Sequence, residues 1–459
     1  MSVVLDGAQL RWQPAGDYLL VTACEGFDPR ELDVLAARHG LPVRLQAVLP
    51  AAEFAALAHS VDAALPELAG LPDNPDEEGQ AALDDNSPMA RYVADLLARA
   101  SAERASDVHV EPYESGTVIR LRVDGQLREL ATLRRSAHAG LLSRLKIMAE
   151  LDIAERRLPQ DGRILLRESR LNLDIRLSTL PTAHGERAVM RLLDPAQERR
   201  GLDAVGIPAD ILTALAQALD RPHGLLLVTG PTGSGKTTTL YAALAGLDVG
   251  ARNIMTVEDP VEYDLPGIAQ TAVMPRIDMS FARALRAILR QDPDVVMIGE
   301  IRDRETAQIA VQASLTGHLV LATLHTNTAV GAISRLLDMG VEPFLLASSL
   351  TGVLAQRLVR RNCPACAAPD PLFAGGQRGR GCPECRQTGY RGRVGVYEWL
   401  GLDAGLRRMI HDGRSDDDML AHARQQLQMR TLAEQAAVLV AQGVTAREEV
   451  LRVTGMQED

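Results

Sequence analysis

Residues 230–237 read Gly-Pro-Thr-Gly-Ser-Gly-Lys-Thr, directly after the apolar run Leu225–Val228 and directly before Thr238, Thr239, Leu240, Tyr241, Ala242, Ala243 and Leu244. A strand, a glycine-rich loop and a helix in that order are the context that the G-x-x-x-x-G-K-[ST] pattern requires. An ordinary glycine-rich turn would not call for a lysine and a threonine at those fixed offsets. The backbone from Gly230 through Pro231, Thr232, Gly233, Ser234 and Gly235 can curl around phosphates. Lys236 can reach the β and γ oxygens, the Thr237 hydroxyl can ligate Mg²⁺, and Thr238 completes the cradle where the helix dipole meets the anion. The expected ligand is a nucleoside triphosphate.

The flanking sequence extends this cradle into an α/β domain. Ile254–Glu258 is an apolar strand ending in Glu258, with Asp259 and Glu262 close behind. Val295–Ile298 is short and fully apolar and leads to Glu300, and Leu319–Leu324 leads to His325. Continuous apolar runs predict strands buried on both faces, hence a mainly parallel sheet covered by helices. Ligands of such sheets bind beyond the carboxyl ends of the strands, where the loop, Glu258, Glu300 and His325 all fall. Glu300 is the expected acid that orients or deprotonates an attacking water, Glu258 polarises that water or holds Mg²⁺ through its shell, and His325 senses the γ-phosphate. A helix begun by Ser280 carries Phe281, Leu285 and Ile288 on one face. His318 is expected to be structural.

A chain of 459 residues exceeds one core and points to about three domains. Hydrophobic residues make up 46% and aromatics 3%, so the cores are aliphatic. A formal net charge of −11 argues against a nucleic-acid-binding surface, which needs a basic stripe. No run approaches the ~18 apolar residues of a membrane span, and the first 35 residues lack the pattern of a secretory leader, so the expected location is cytoplasmic. Residues 1–69 read as a small α/β module, with strand-like Tyr18–Thr22 and Val43–Val48 and helical patterns at Asp28–His39 and Ala51–Leu65. Residues 70–87 carry carboxylates, prolines and glycine without Lys or Arg, the composition of a flexible linker. Ser87-Pro88 opens a helix, and strands at Ser106–Pro112, Thr117–Gly125, Asp174–Ser178 and Arg187–Leu193 then make residues 88–198 a second, α+β domain. The catalytic domain occupies 199–459.

Within it, Cys363-Pro-Ala-Cys366 and Cys382-Pro-Glu-Cys385 are two C-x-x-C pairs fifteen residues apart. That is the spacing of a tetrahedral Cys₄ Zn²⁺ lobe, placed at 360–393, whose metal would do the folding and keep no open catalytic position. Residues 402–459 read as a helical tail, with Thr445-Ala-Arg-Glu448 expected to form a capping box.

Taken together, these motifs resemble the Walker A, Asp box, Walker B and His box of secretion ATPases: Gly230–Thr237, Thr256–Glu262, Ile288–Asp294 through Gly299–Asp303, and Thr316–Asn327. With Leu158–Arg163, Ser178–Arg187 and the tetracysteine element, residues 88–459 look like the type II secretion ATPase family, GspE. Pilus-retraction motors lack the tetracysteine element and pilus-extension motors share it; the tail around Ile410–Gly413 looks more like the secretion enzymes. The resemblance implies a RecA-like P-loop ATPase domain preceded by a PAS-like domain, acting as a homohexamer that hydrolyses ATP with Mg²⁺. It also implies that Arg176 and Arg191 reach the nucleotide phosphates from the second domain. The implied output is assembly of a periplasmic pseudopilus through an inner-membrane platform. The N-terminal module, short for the family, would dock on the cytoplasmic domain of a bitopic membrane protein, so membrane contact is peripheral. The short gap between cysteine pairs implies a small zinc lobe.

Overall fold

The computed structural model describes residues 3–4, 10–15, 18–24, 26, 28–30, 32, 36, 42–49, 87–168, 171–193, 201–371, 373 and 375–454. The chain falls into two units, Met1–Leu97 and Ala98–Asp459. The first contains a sheet in sequence order: β1 (Val3–Val4), β2 (Leu10–Ala15), β3 (Tyr18–Cys24) and β4 (Val43–Leu49). The β3–β4 pair is parallel and therefore needs a crossover between its strands. Most of the helical pattern read at Asp28–His39, that at Ala51–Leu65, and the acidic segment 70–86 lie outside the described residues. The helix Pro88–Ala102 starts as expected, with the Ser87 hydroxyl accepting from Ala90 N at 3.1 Å.

The second unit opens on an antiparallel sheet. Its strands are β5 (Ala105–Tyr113), β6 (Gly116–Val123), β7 (Gln126–Leu133), β8 (Gln160–Glu168), β9 (Leu171–Thr182) and β10 (Gly185–Leu193), in the order β7-β6-β5-β10-β9-β8. Side chains alternate across each strand. Val108, Val110, Ile119, Leu121, Ile175, Leu177, Ala188 and Met190 form a buried apolar face, against which the helix Ala137–Met148 packs. The other face is charged. Register aligns Arg122, Asp107, Arg191, Arg176 and Arg163 as one row across β6, β5, β10, β9 and β8.

The third sheet is the parallel one expected. It consists of β11 (Gly224–Thr229), β12 (Ile254–Glu258), β13 (Ala269–Ala272), β14 (Val295–Ile298), β15 (Leu319–Leu324) and β16 (Leu350–Asn362), closed by the antiparallel β19 (Tyr390–Gly401), in the order β13-β12-β14-β15-β11-β16-β19. The short ribbon β17 (Ala367–Pro369) with β18 (Gln377–Gly379) lies between the cysteine pairs. The continuous apolar runs are explained by two cores. Leu225, Leu227, Val296, Ile298, Val320 and Ala322 enter one, while Leu226, Val228, Val295, Met297, Leu319 and Leu321 enter the other. Strands β16 and β19 are additions to the sequence reading, and β16 places a further strand beside β11.

The tail is helical, but its capping box is not at Thr445. The Thr445 hydroxyl donates to Arg360 O at 2.8 Å and Glu448 accepts from the Tyr390 hydroxyl at 2.8 Å, so tertiary partners have taken both groups. The box forms instead at Thr431 and Glu434. Ser280 caps its helix as expected. Among the described residues no helix is long and apolar enough to cross a membrane.

Candidate active site

Strand β11 delivers the loop between β15 and β16, so every residue at the carboxyl edge of these neighbours is close to it. Gly230 has φ 150°, and a Cβ there would meet Gln356 O at 2.4 Å and Ser234 Oγ at 2.6 Å. Any other residue would push the loop off its strand. Gly235, left-handed at φ 88°, turns the chain into the helix Lys236–Ala245. Inside the loop the Lys236 ammonium donates to Gly230 O at 2.8 Å and Pro231 O at 3.1 Å. Burial lowers its pKa to about 8, opposed by the Glu300 carboxylate and assisted by the Arg357 guanidinium. The Ser234 hydroxyl is buried and makes no hydrogen bond among the described residues. A cramped cation with an orphaned hydroxyl beside it suits an oxyanion. Thr237 and Thr238 stand exposed at the first helical turn, a hard oxygen donor of the kind Mg²⁺ prefers.

Glu300 follows β14 and His325 follows β15. His325 Nε2 lies 3.4 Å from Glu300 Oε2, while the other carboxylate oxygen is paired with the Arg302 guanidinium. Arg302 also lies 3.8 Å from Asp259. His325 is held below its ordinary pKa, first by burial and then by the Lys236 charge, so the imidazole is neutral near pH 7. Its loop is tied to the phosphate-loop strand, because the Thr229 and Thr326 hydroxyls are 2.7 Å apart. His318 is structural: its Nδ1 is 3.0 Å from the carbonyl of Ala313 at a helix end.

Glu258 is more enclosed than its position at a strand end suggested. It is buried, and both oxygens are engaged: the Tyr241 hydroxyl donates to one, and Thr256 Oγ1 at 2.6 Å and Gln270 Nε2 at 3.0 Å donate to the other. Tyr241 and Gln270 had no motif to reveal them.

From the charged face of the antiparallel sheet, Arg176 reaches the segment that follows Glu258. It pairs with the Glu262 carboxylate at 2.9 Å and donates to the carbonyls of Val261 and Glu262. Arg191 is directly opposite Arg176 in the ladder and is held by Asp107 at 3.1 Å. Asp107 also lies 3.6 Å from Arg122, and Glu111 pairs with both Arg120 and Arg187. Each of these acids thus serves two arginines. The basic face is organised without being neutralised.

The four cysteines converge. Their sulfurs all lie within 4.8 Å of one another, with Cys363–Cys382 and Cys366–Cys385 at 3.8 Å and Cys382–Cys385 at 3.7 Å. Thiolates around a tetrahedral ion with bonds of about 2.3 Å sit about 3.8 Å apart, so the cluster could hold a metal ion. Burial pushes the Cys366 thiol up to about 12. At Cys385 burial is outweighed by the backbone N–H groups of Cys382 and Gly389, which bring it to about 7.

A parallel sheet with a glycine-rich phosphate loop, a buried lysine and strand-end acid and imidazole groups defines a P-loop ATPase. The family of type II/IV secretion system proteins matches residues 82–452. The chain is 60% identical to type II secretion system protein HxcR of Pseudomonas aeruginosa over 370 residues, 81% of this chain and 78% of that one. It is 52% identical to type II secretion system ATPase E of Vibrio cholerae, over 83% of this chain and 78% of that protein. Among solved structures it is similar to the pilus retraction motor PilT with bound ADP, at TM-score 0.55 and 26% identity over 78% of this chain and 95% of that one. The chain belongs to the type II/IV secretion system protein family, among its type II secretion ATPases.

Proposed function

We propose that this ATPase works as a hexameric motor that couples closure of the charged antiparallel sheet over the phosphate loop to pseudopilus assembly. What supports this reading is the meeting of Lys236, Glu300 and His325 from the ends of three adjacent strands, with Arg176 approaching from a different sheet. The triphosphate of ATP lies along Gly230–Thr238, its charge balanced by Lys236, and Mg²⁺ held through Thr237 supplies further charge neutralisation. Glu300 takes the proton of the attacking water once Arg302 moves toward Asp259. Glu258, with its oxygens held by Tyr241, Thr256 and Gln270, would support Mg²⁺ only through its outer shell. His325 hydrogen-bonds the γ-phosphate. Arg176 and Arg191 leave Glu262 and Asp107 for the phosphates as the domains close, stabilising transition-state charge.

In this reading Cys363, Cys366, Cys382 and Cys385 bind Zn²⁺ as thiolates and fold the lobe at 360–393. Residues 88–198 form the PAS-like second domain, and 1–69, carried by the linker 70–87, dock on the cytoplasmic domain of a bitopic inner-membrane partner. The protein is then cytoplasmic and peripheral to the membrane through partners, without nucleic acid. The test is ATP turnover by the assembled ring. Glu300→Gln should abolish it while ADP binding persists, and turnover at the wild-type rate would sink the assignment. A metal content near zero in protein never exposed to chelator would sink the zinc assignment.

A further inference from the structure

Strand β16 runs parallel to β11, with Thr229 opposite Ala355, so the next residue, Gln356, comes level with Gly230 at the mouth of the loop. The residue is 2% exposed, and its side chain bridges the loop and the helix that follows it. Nε2 donates to Ser234 O at 2.7 Å, and Oε1 accepts from the Thr239 hydroxyl at 2.9 Å, one turn into the following helix. The carbonyl of Gln356 is also the atom that a Cβ at Gly230 would strike. The carbonyl of Ser234, which can only accept, fixes which end of the amide faces which partner, and the Thr239 hydroxyl adapts as donor.

This geometry has a direct effect on the anion cradle. In a trans peptide the carbonyl and the following N–H point to opposite sides. Anchoring Ser234 O outward to Gln356 therefore turns the Gly235 N–H inward, toward the phosphate position. We propose that Gln356 is a positioning residue for phosphate: it holds the loop in its anion-ready form before nucleotide arrives. The inference rests on the ATP-site reading above and adds a residue from a strand that no phosphate-loop pattern includes.

The experiment compares full-length wild type with Gln356→Glu, Gln356→Met and Thr239→Val, measuring equilibrium binding of ADP and, by competition, of inorganic pyrophosphate. Gln356→Glu keeps the size and the bond from Thr239 but loses the donor to Ser234; Gln356→Met removes both bonds without adding charge. Both are expected to weaken ADP and pyrophosphate by the same factor, at least tenfold, and Thr239→Val by about threefold. Equal loss for the two ligands locates the defect at the phosphates. ADP affinity within twofold of wild type in folded Gln356→Glu or Gln356→Met would overturn the proposal. So would a loss for ADP exceeding that for pyrophosphate tenfold, which places the defect at the nucleoside and not at the phosphates. Failure of wild type itself to bind ADP would overturn the ATP-site reading, and this inference with it.

Discussion

The two sheets of the second unit handle charge in opposite ways. The parallel sheet buries both faces and keeps its chemistry at one edge, where loops after β11, β12, β14 and β15 converge. The antiparallel sheet buries one face only and carries its chemistry mid-strand, as a row of four arginines interrupted by Asp107. An edge site is assembled by folding and stays assembled. A charged face is a plate that can be applied to that site and withdrawn, since its arginines are held by exchangeable ion pairs. The parallel sheet should therefore govern binding and catalysis together, and the antiparallel sheet catalysis alone.

The division is open to test, beginning where the effect is largest. Lys236→Ala is expected to lower turnover roughly 10³-fold and to weaken ADP binding as well. Arg176→Ala is expected to lower kcat roughly 10²-fold while ADP affinity changes less than threefold; parallel losses in both, measured by calorimetry and steady-state kinetics, would erase the distinction between the sheets. A pH titration probes the edge site alone. Lys236 in the free site has a pKa of about 8 and is charged below it. Phosphates stabilise the charged form, so above pH 8 binding must take up a proton, and ADP affinity should fall by up to about tenfold per pH unit. Calorimetry in buffers of different ionisation enthalpy reads that proton directly. Arg191→Ala, whose side chain is further committed to Asp107, should lower kcat only about fivefold and leave the pH profile of binding untouched.

How legible each sheet was follows from the same contrast. The central strands of the parallel sheet announced themselves because both faces are buried and their positions are nearly all apolar, as in Leu225–Val228 and Val295–Ile298, whereas β13 and β16, with polar positions along them, did not. The site residues at its edge were readable as polar groups ending apolar runs. Arg176 and Arg191 were not visible in this way, because an arginine on an alternating strand is what any solvated face supplies; only resemblance to a family singled them out. Gln356 left a trace of its own: an amide directly after the apolar Val353–Ala355 has to be satisfied by something once the strand is buried. The capping box at Thr445 failed for the opposite reason. Its residues were suited to a local bond, but the carbonyl of Arg360 and the hydroxyl of Tyr390 are nearer partners in the folded chain. Local patterns predict well only where no distant group competes.

Strand β16 has thirteen residues, about 40 Å of extended chain. Its far end, Asn362, ties the carbonyls of Gln377 and Gly443 together and is followed at once by Cys363. Between those bonds and Gln356 the strand is paired along β19, with one irregularity between Arg360 and Asn362. At one end it is tied into the cysteine lobe and the tail, and partway along Gln356 ties it to the phosphate loop. One strand thus links the lobe, through Gln356, to the Ser234 carbonyl of the phosphate loop.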